Sequence, residues 1–186
     1  MGRCSQLFYL QPDPFDSSVD RKRALRLCLF TDVKNTNDLK VAVCNERLAC
    51  SLINAEMVYS VFQLLAAANR SLHAEAHGEM STKNVHTELV YALSPSTNIS
   101  WSLETFGVSD STKNVIVALY DDIDGSRLTS VLKLIKGTAK PLMELKTATN
   151  MASIREVYSL RKPELNYGSI DDDIVSKIVA KEFLGH

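Results

Sequence analysis

The chain has 186 residues, is 45% hydrophobic and 23% charged, and carries a formal net charge of −1. That length suits one compact domain, and the composition excludes a disordered or fibrous chain. The balanced charge excludes a global basic field that would draw the chain to nucleic acid or membrane, and no run approaches the roughly 18 apolar residues of a membrane span, so no membrane partner is expected.

Residues 1–20, with Pro12, Pro14 and the polar run Asp16-Ser17-Ser18, read as a loosely ordered extension, and residues 21–186 as a single domain. No signal peptide is expected, because Met1–Leu10 holds too short an apolar run. Arg21-Lys22-Arg23 reads as a solvated edge before a strand rather than a nuclear-import or RNA-contacting patch. Ala24–Phe30 is an apolar run broken by Arg26, which predicts a buried strand. After a turn, Asn37 is placed to cap a helix over Asp38–Arg47 with Leu39, Ala42 and Val43 on its inner face. Ser51–Asn54 reads as a short extended element.

Ser60 opens the longest predicted helix, and Gln63 three residues on completes a capping box, in which each side chain covers a free backbone N–H. Phe62, Leu65, Asn69 and Leu72 form its apolar stripe, widened by Val61, Leu64 and Ala68, and Gly78 ends it. Val85–Leu93 reads as a strand stopped by Pro95. Asn98 caps a short helix with Ile99, Leu103 and Phe106 on its core face, closed by Gly107 in the left-handed conformation. Val115–Tyr120 is a strand, Asp121–Ser126 a turn, and Leu128–Ile135 a helix closed by Gly137. Asn150 caps a helix reaching Leu160, with Ile154, Val157 and Tyr158 on one face. Ser169 caps the last helix, and Asp171, Asp172 and Asp173 sit at its positive end. Ile170, Ile174 and Ile178 form one row of that helix, and Val175, Val179 and Phe183 the adjacent row. The expected architecture is mixed α+β: a small central β-sheet packed by several helices, with the C-terminal helices available for partner docking.

The four cysteines, Cys4, Cys28, Cys44 and Cys50, form no C-x-x-C pair and are expected to be free thiols in a reducing compartment. His73 and His77 have a zinc-compatible spacing but no third ligand or following glutamate, so no metal is expected. Asp122-Ile123-Asp124-Gly125 reads as a turn rather than a calcium loop, because Tyr120 stands where the first carboxylate should be. A pairing of Cys50 or Cys28 with a distant histidine is unsupported by spacing. No cofactor and no catalytic residue is expected, and the chain is read as a binding protein rather than an enzyme. Two surfaces are candidates. One is the apolar face of the last helices, with Ile154, Val157, Tyr158, Ile174, Val175 and Ile178 as partner contacts; Ile174→Arg is then expected to abolish binding while leaving the fold intact. The other is Lys83, with Arg70, as a phosphate contact for an RNA end.

These segments occur in an order that resembles a known family. Thr31-Asp32-Val33-Lys34-Asn35, Ser51-Leu52-Ile53-Asn54, Phe62-Gln63 with Ala67-Ala68-Asn69, Glu88 ahead of Leu93-Ser94-Pro95, Asn98-Ile99-Ser100, Phe106-Gly107-Val108 and Ile154–Leu160 together resemble the TPRKB (PRPK-binding protein) family of EKC/KEOPS subunits. The resemblance implies a non-catalytic subunit that binds the small lobe of an atypical PRPK-type kinase/ATPase. Through the kinase it implies contact with the carbamoyl-transferase subunit, in a complex that makes threonylcarbamoyl-adenosine at position 37 of tRNA. It further implies an expected contact with the tRNA 3′ CCA end and residence in cytoplasm and nucleus. In relatives the segment before Asn84 reads Met-basic-Thr-basic, whereas here it is Met80-Ser81-Thr82-Lys83 after Glu79, which removes one cation from the expected RNA contact. The alternatives are a stand-alone RNA-binding module or a small enzyme with an unrecognised site.

Overall fold

The fold is seen in a computed structural model that describes residues 4–11, 23–45, 47–160, 169–181 and 183. Arg21, Lys22 and most of the expected N-terminal extension lie outside the described residues. The chain runs β1 (Ser5–Tyr9), β2 (Ala24–Thr31), α1 (Thr36–Cys44), β3 (Ser51–Asn54), α2 (Val61–His77), α3 (Val85–Leu93), α4 (Ile99–Phe106) and β4 (Val115–Tyr120). It continues through α5 (Ser126–Leu132), β5 (Thr138–Lys140), α6 (Leu145–Ala148), α7 (Met151–Val157) and α8 (Ile170–Ala180). The sheet has the order β1-β2-β4-β3, with β5 also paired to β2, and every pairing is antiparallel. This is the expected α+β architecture.

Both faces of the sheet are covered, which is why β2 and β4 read as near-continuous apolar runs instead of alternating ones. Leu25, Leu27, Leu29, Ile116, Ala118 and Tyr120 enter the larger core with α2, α3, α7 and α8. Cys28, Phe30, Val115, Val117 and Leu119 face a second core, where Leu39 of α1 and Leu128 and Val131 of α5 close the layer.

Helix ends follow the predicted caps in most places. The side chains of Ser60, Asn98 and Asn150 accept backbone N–H groups at the starts of α2, α4 and α7. Ser169 and Asp172 form a reciprocal capping box on α8. Gly78 ends α2 with φ 68°. Gln63 does not return to Ser60: its Oε1 accepts Tyr59 N at 2.7 Å, one residue earlier than a standard capping box.

Several expectations are corrected. Ser5–Tyr9, read as part of a loose extension, is a strand paired along β2. Val85–Leu93, read as a strand, is helix α3. Asn84 caps it by accepting Thr87 N at 3.0 Å, and Glu88 through Leu93 are all buried because α2, α4 and β3 surround it. A helix enclosed on most sides loses its polar face, and its apolar run then mimics a buried strand. The stripe of α2 is displaced as well. Gln63, Leu64, Ala67, Ala68, Ser71 and Leu72 face inward, and Phe62 is 53% exposed; small residues occupy the contact, so the largest apolar side chains do not mark it. α1 begins one residue before Asn37 and ends at Cys44. Asn35 holds its start by linking to Leu134 O at 2.8 Å and Lys136 N at 2.9 Å. Gly107 is extended, with ψ −178°, not left-handed. Glycine is required there because a Cβ would lie 2.4 Å from Leu103 O.

Candidate functional site

α8 is fixed along α2 by its ends. Ser60 at the start of α2 donates to Asp171 at the start of α8. Farther along, Arg70 donates to Ile178 O at 3.1 Å and Val179 O at 2.9 Å. The guanidinium thus meets carbonyls near the negative end of α8, a favourable match of charge to dipole. The two helices therefore run parallel, and this contact decides which row of α8 is which. Ile174 and Ile178 are fully buried in the larger core. In the other row Val179 is 51% exposed, Phe183, past the helix end, is 82% exposed, and Val175 is half-buried.

The residues predicted as partner contacts divide by burial. Ile174 and Ile178, and likewise Ile154 and Tyr158 at α7, belong to the chain's own interior, so their side chains are not offered to a partner in this fold. Val157 and Val175 are half-buried. Tyr158 has a structural role: its hydroxyl donates to Leu93 O at 2.5 Å and accepts from Gln63 Nε2 at 2.8 Å, joining α7, α3 and α2. Ile174→Arg would drive a guanidinium into this core, so the expectation of an intact fold is corrected too. The exposed row, Val179 and Phe183, was visible as a row in the sequence, but its outward direction depends on the distant α2 contacts.

Lys83 stands at a second place. The carboxylate of Glu88, buried in α3, accepts Thr82 N at 2.8 Å and Thr82 Oγ1 at 2.7 Å. That contact folds residues 80–84 onto the start of α3 and holds Lys83 at the helix's positive end. Lys83 and Lys40 line a cavity of about 360 Å³ with Cys44, Cys50, Ser51 and His86 among its walls. Ser51 Oγ donates to His86 O at 2.9 Å, tying β3 to α3. Arg70 does not line this cavity; it is engaged at α8, which corrects its pairing with Lys83 as an RNA contact. Lys40 was missed by sequence reading because it lies far from Lys83 along the chain.

The cavity also brings together Cys50 and His86, a pairing of the kind that spacing did not favour. Burial pushes the Cys50 thiol up to about 12. Burial, with the positive Arg127 nearby, pulls His86 down to about 4. At neutral pH Cys50 is therefore a protonated thiol and His86 a neutral imidazole, so this cavity wall carries no thiolate nucleophile. Cys28 is likewise raised to about 12 by burial and by Cys4. Among the described residues no group of His, Cys, Asp and Glu side chains is arranged to hold a metal ion. His73 and His77 pack ring against ring with centroids 4.3 Å apart. Asp122 accepts Arg127 N and Leu128 N at the start of α5, as a turn-and-cap residue. Tyr91 is buried beneath Lys181 Nζ, 3.0 Å from its ring centroid.

The family model described as kinase binding protein CGI-121 matches residues 30–182, from the middle of the sheet through α8. The chain belongs to this family. Among CGI-121 relatives, it is 30% identical over 155 residues to the Danio rerio protein named EKC/KEOPS complex subunit TPRKB, covering 83% of this chain and 89% of that protein. It is 33% identical over 140 residues to EKC/KEOPS complex subunit CGI121 of Yarrowia lipolytica, covering 73% of this chain and 79% of that protein. It is 29% identical over 157 residues to the subunit of the same name in Aspergillus fumigatus, covering 80% and 81%. The CGI-121 match takes in Lys40, Lys83, Val175 and Val179, whereas β1 lies before it and Phe183 one residue past its end.

Proposed function

We propose that this chain is the kinase-binding subunit of an EKC/KEOPS complex and acts by binding, not by catalysis. Membership of a family described as kinase-binding, over residues 30–182, is the observation that carries this reading. The protonated state of Cys28 and Cys50 supports the non-catalytic part. The kinase small lobe docks on Val175 and Val179 of the outer row of α8 and on Phe183 just past its end, with Phe62 of the neighbouring α2. Phe62, Val179 and Phe183 are exposed and Val175 is half-buried, and apolar side chains presented along a helix pair and its end are what such an interface requires. The carbamoyl-transferase subunit is reached through the kinase, and the complex modifies tRNA with a threonylcarbamoyl group in cytoplasm and nucleus.

A second contact, with the tRNA 3′ end, is assigned to the cavity of Lys83 and Lys40. The positive end of α3, two lysines and hydroxyl groups suit a phosphate-bearing chain end. The same lysines favour, as the second reading, an RNA-binding module that works without the kinase. Reconstitution with purified partners tests both. The proposal expects a one-to-one complex with the kinase and loss of tRNA modification when this chain is omitted. RNA binding that is as tight without the kinase, with no kinase complex at all, would support the second reading instead.

A further inference from the structure

We infer that the outer edge of β1 pairs with the same edge of a second copy of this chain, antiparallel and centred on Leu7. β1 ends the sheet order, with β2 on one side and no described strand on the other. Its register with β2 fixes which backbone groups are free. Leu10 N donates to Arg23 O at 2.9 Å, continuing the pairing Tyr9↔Ala24 by one step. Antiparallel ladders alternate between bonded and non-bonded pairs, so Gln6, Phe8 and Leu10 point their N–H and C=O groups at β2. The far side of the ladder agrees: Ala24, opposite Tyr9, turns its N–H and C=O toward Asp121 instead. Ser5, Leu7 and Tyr9 therefore direct both backbone groups outward.

A second copy satisfies this edge completely. About a twofold axis through Leu7, Leu7 bonds Leu7 of the second copy and Ser5 bonds its Tyr9, so each outward donor meets an outward acceptor. Closed dimers require this kind of self-complementary patch. The strand Ser5-Gln6-Leu7-Phe8-Tyr9 carries no charge, so the twofold brings no like charges together. It also lacks the lysine, proline or bulge by which solitary edge strands discourage pairing. Tyr9 is 65% exposed and would lie over the small Ser5 of the other copy, on the same face as Leu7. Arg26, opposite Leu7 on β2, is held by Asp122 O and Ile123 O at 2.7 Å each and stays within its own copy. The inference does not depend on the kinase reading, because it uses a strand outside the matched family region.

Sedimentation equilibrium of the full chain, from micromolar to near-millimolar concentration, tests it. The average mass is expected to climb from 20.7 kDa toward twice that value. Leu7→Pro removes one outward N–H and leaves the bonds to β2 untouched, since proline is tolerated where the N–H faces solvent. Leu7→Lys sets two charges face to face. Both variants should keep wild-type thermal unfolding and stay at monomer mass throughout. In a Cys4→Ser, Cys44→Ser background, Leu7→Cys should cross-link between copies under copper-catalysed air oxidation, and Gln6→Cys should not. A wild-type chain that stays monomeric at every concentration overturns the inference. Folded variants that dimerise as wild type does, or equal cross-linking at positions 6 and 7, overturn it as well.

Discussion

Ile174→Ala probes the packing that separates the two rows of α8. The side chain is fully buried in the larger core, beside Ile178 and against α2. Truncating a buried isoleucine costs the transfer energy of the lost methyl groups plus that of the cavity left behind, about 2–5 kcal/mol. Arg70 and Ser60 pin both ends of α8, so the helix cannot slide inward to fill the gap, which places the loss near the middle, about 3 kcal/mol. For a chain of this size each kcal/mol lowers the midpoint by about 2–4 °C, so scanning calorimetry should show a fall on the order of 10 °C. Urea unfolding gives the same loss as a lower midpoint at unchanged slope. A loss below about 0.5 kcal/mol, the level of ordinary surface substitutions, would mean that Ile174 is not interior and would refute the assignment of the two rows.

Tyr158→Phe removes a hydroxyl that pairs with Leu93 O and Gln63, leaving buried polar groups unsatisfied; a loss of about 1–3 kcal/mol is expected in equilibrium denaturation, and none if the hydroxyl is unpaired. His86 titrates near 4 in the fold against an ordinary value of about 6.5, so its unfolded form binds the proton first. Its contribution is whole above about pH 6.5 and lost as pH falls toward 4, by at most about 3 kcal/mol. His86→Gln should flatten that limb of the stability profile, and a ring titrating near 6.5 by NMR would contradict the cause given. Lys83→Glu should weaken tRNA binding by the complex more at low salt than at high salt; equal affinity at low salt would remove Lys83 from the contact.

The parts of the fold written in local chemistry were legible. Ser60, Asn98, Asn150 and Ser169 announced their helices through side chains that reach only two or three residues. Features set by distant packing were not. α3 looked like a strand because its surroundings, not its own periodicity, bury it. β1 was hidden by the proline-bearing stretch that follows it, since its pairing with β2 spans that interval. The face of α2 was misjudged because alanine and serine carry the contact while phenylalanine stays outside. The candidate binding residues divide in the same way. Spacing showed two rows on α8, and only the contacts from Arg70 and Ser60 show which one faces out. Lys83 stood out in its motif, but Lys40 and His86 join it through the closure of α1, β3 and α3 around one cavity.

The most direct test is the affinity of the purified kinase for a chain bearing Val179→Asp and Phe183→Asp together, measured by calorimetric titration beside the wild type. Both side chains are exposed, so the melting temperature should not change. The account predicts an affinity at least about tenfold weaker, as expected when apolar anchors are removed from an interface. A folded double variant that binds the kinase as tightly as the wild type would contradict it.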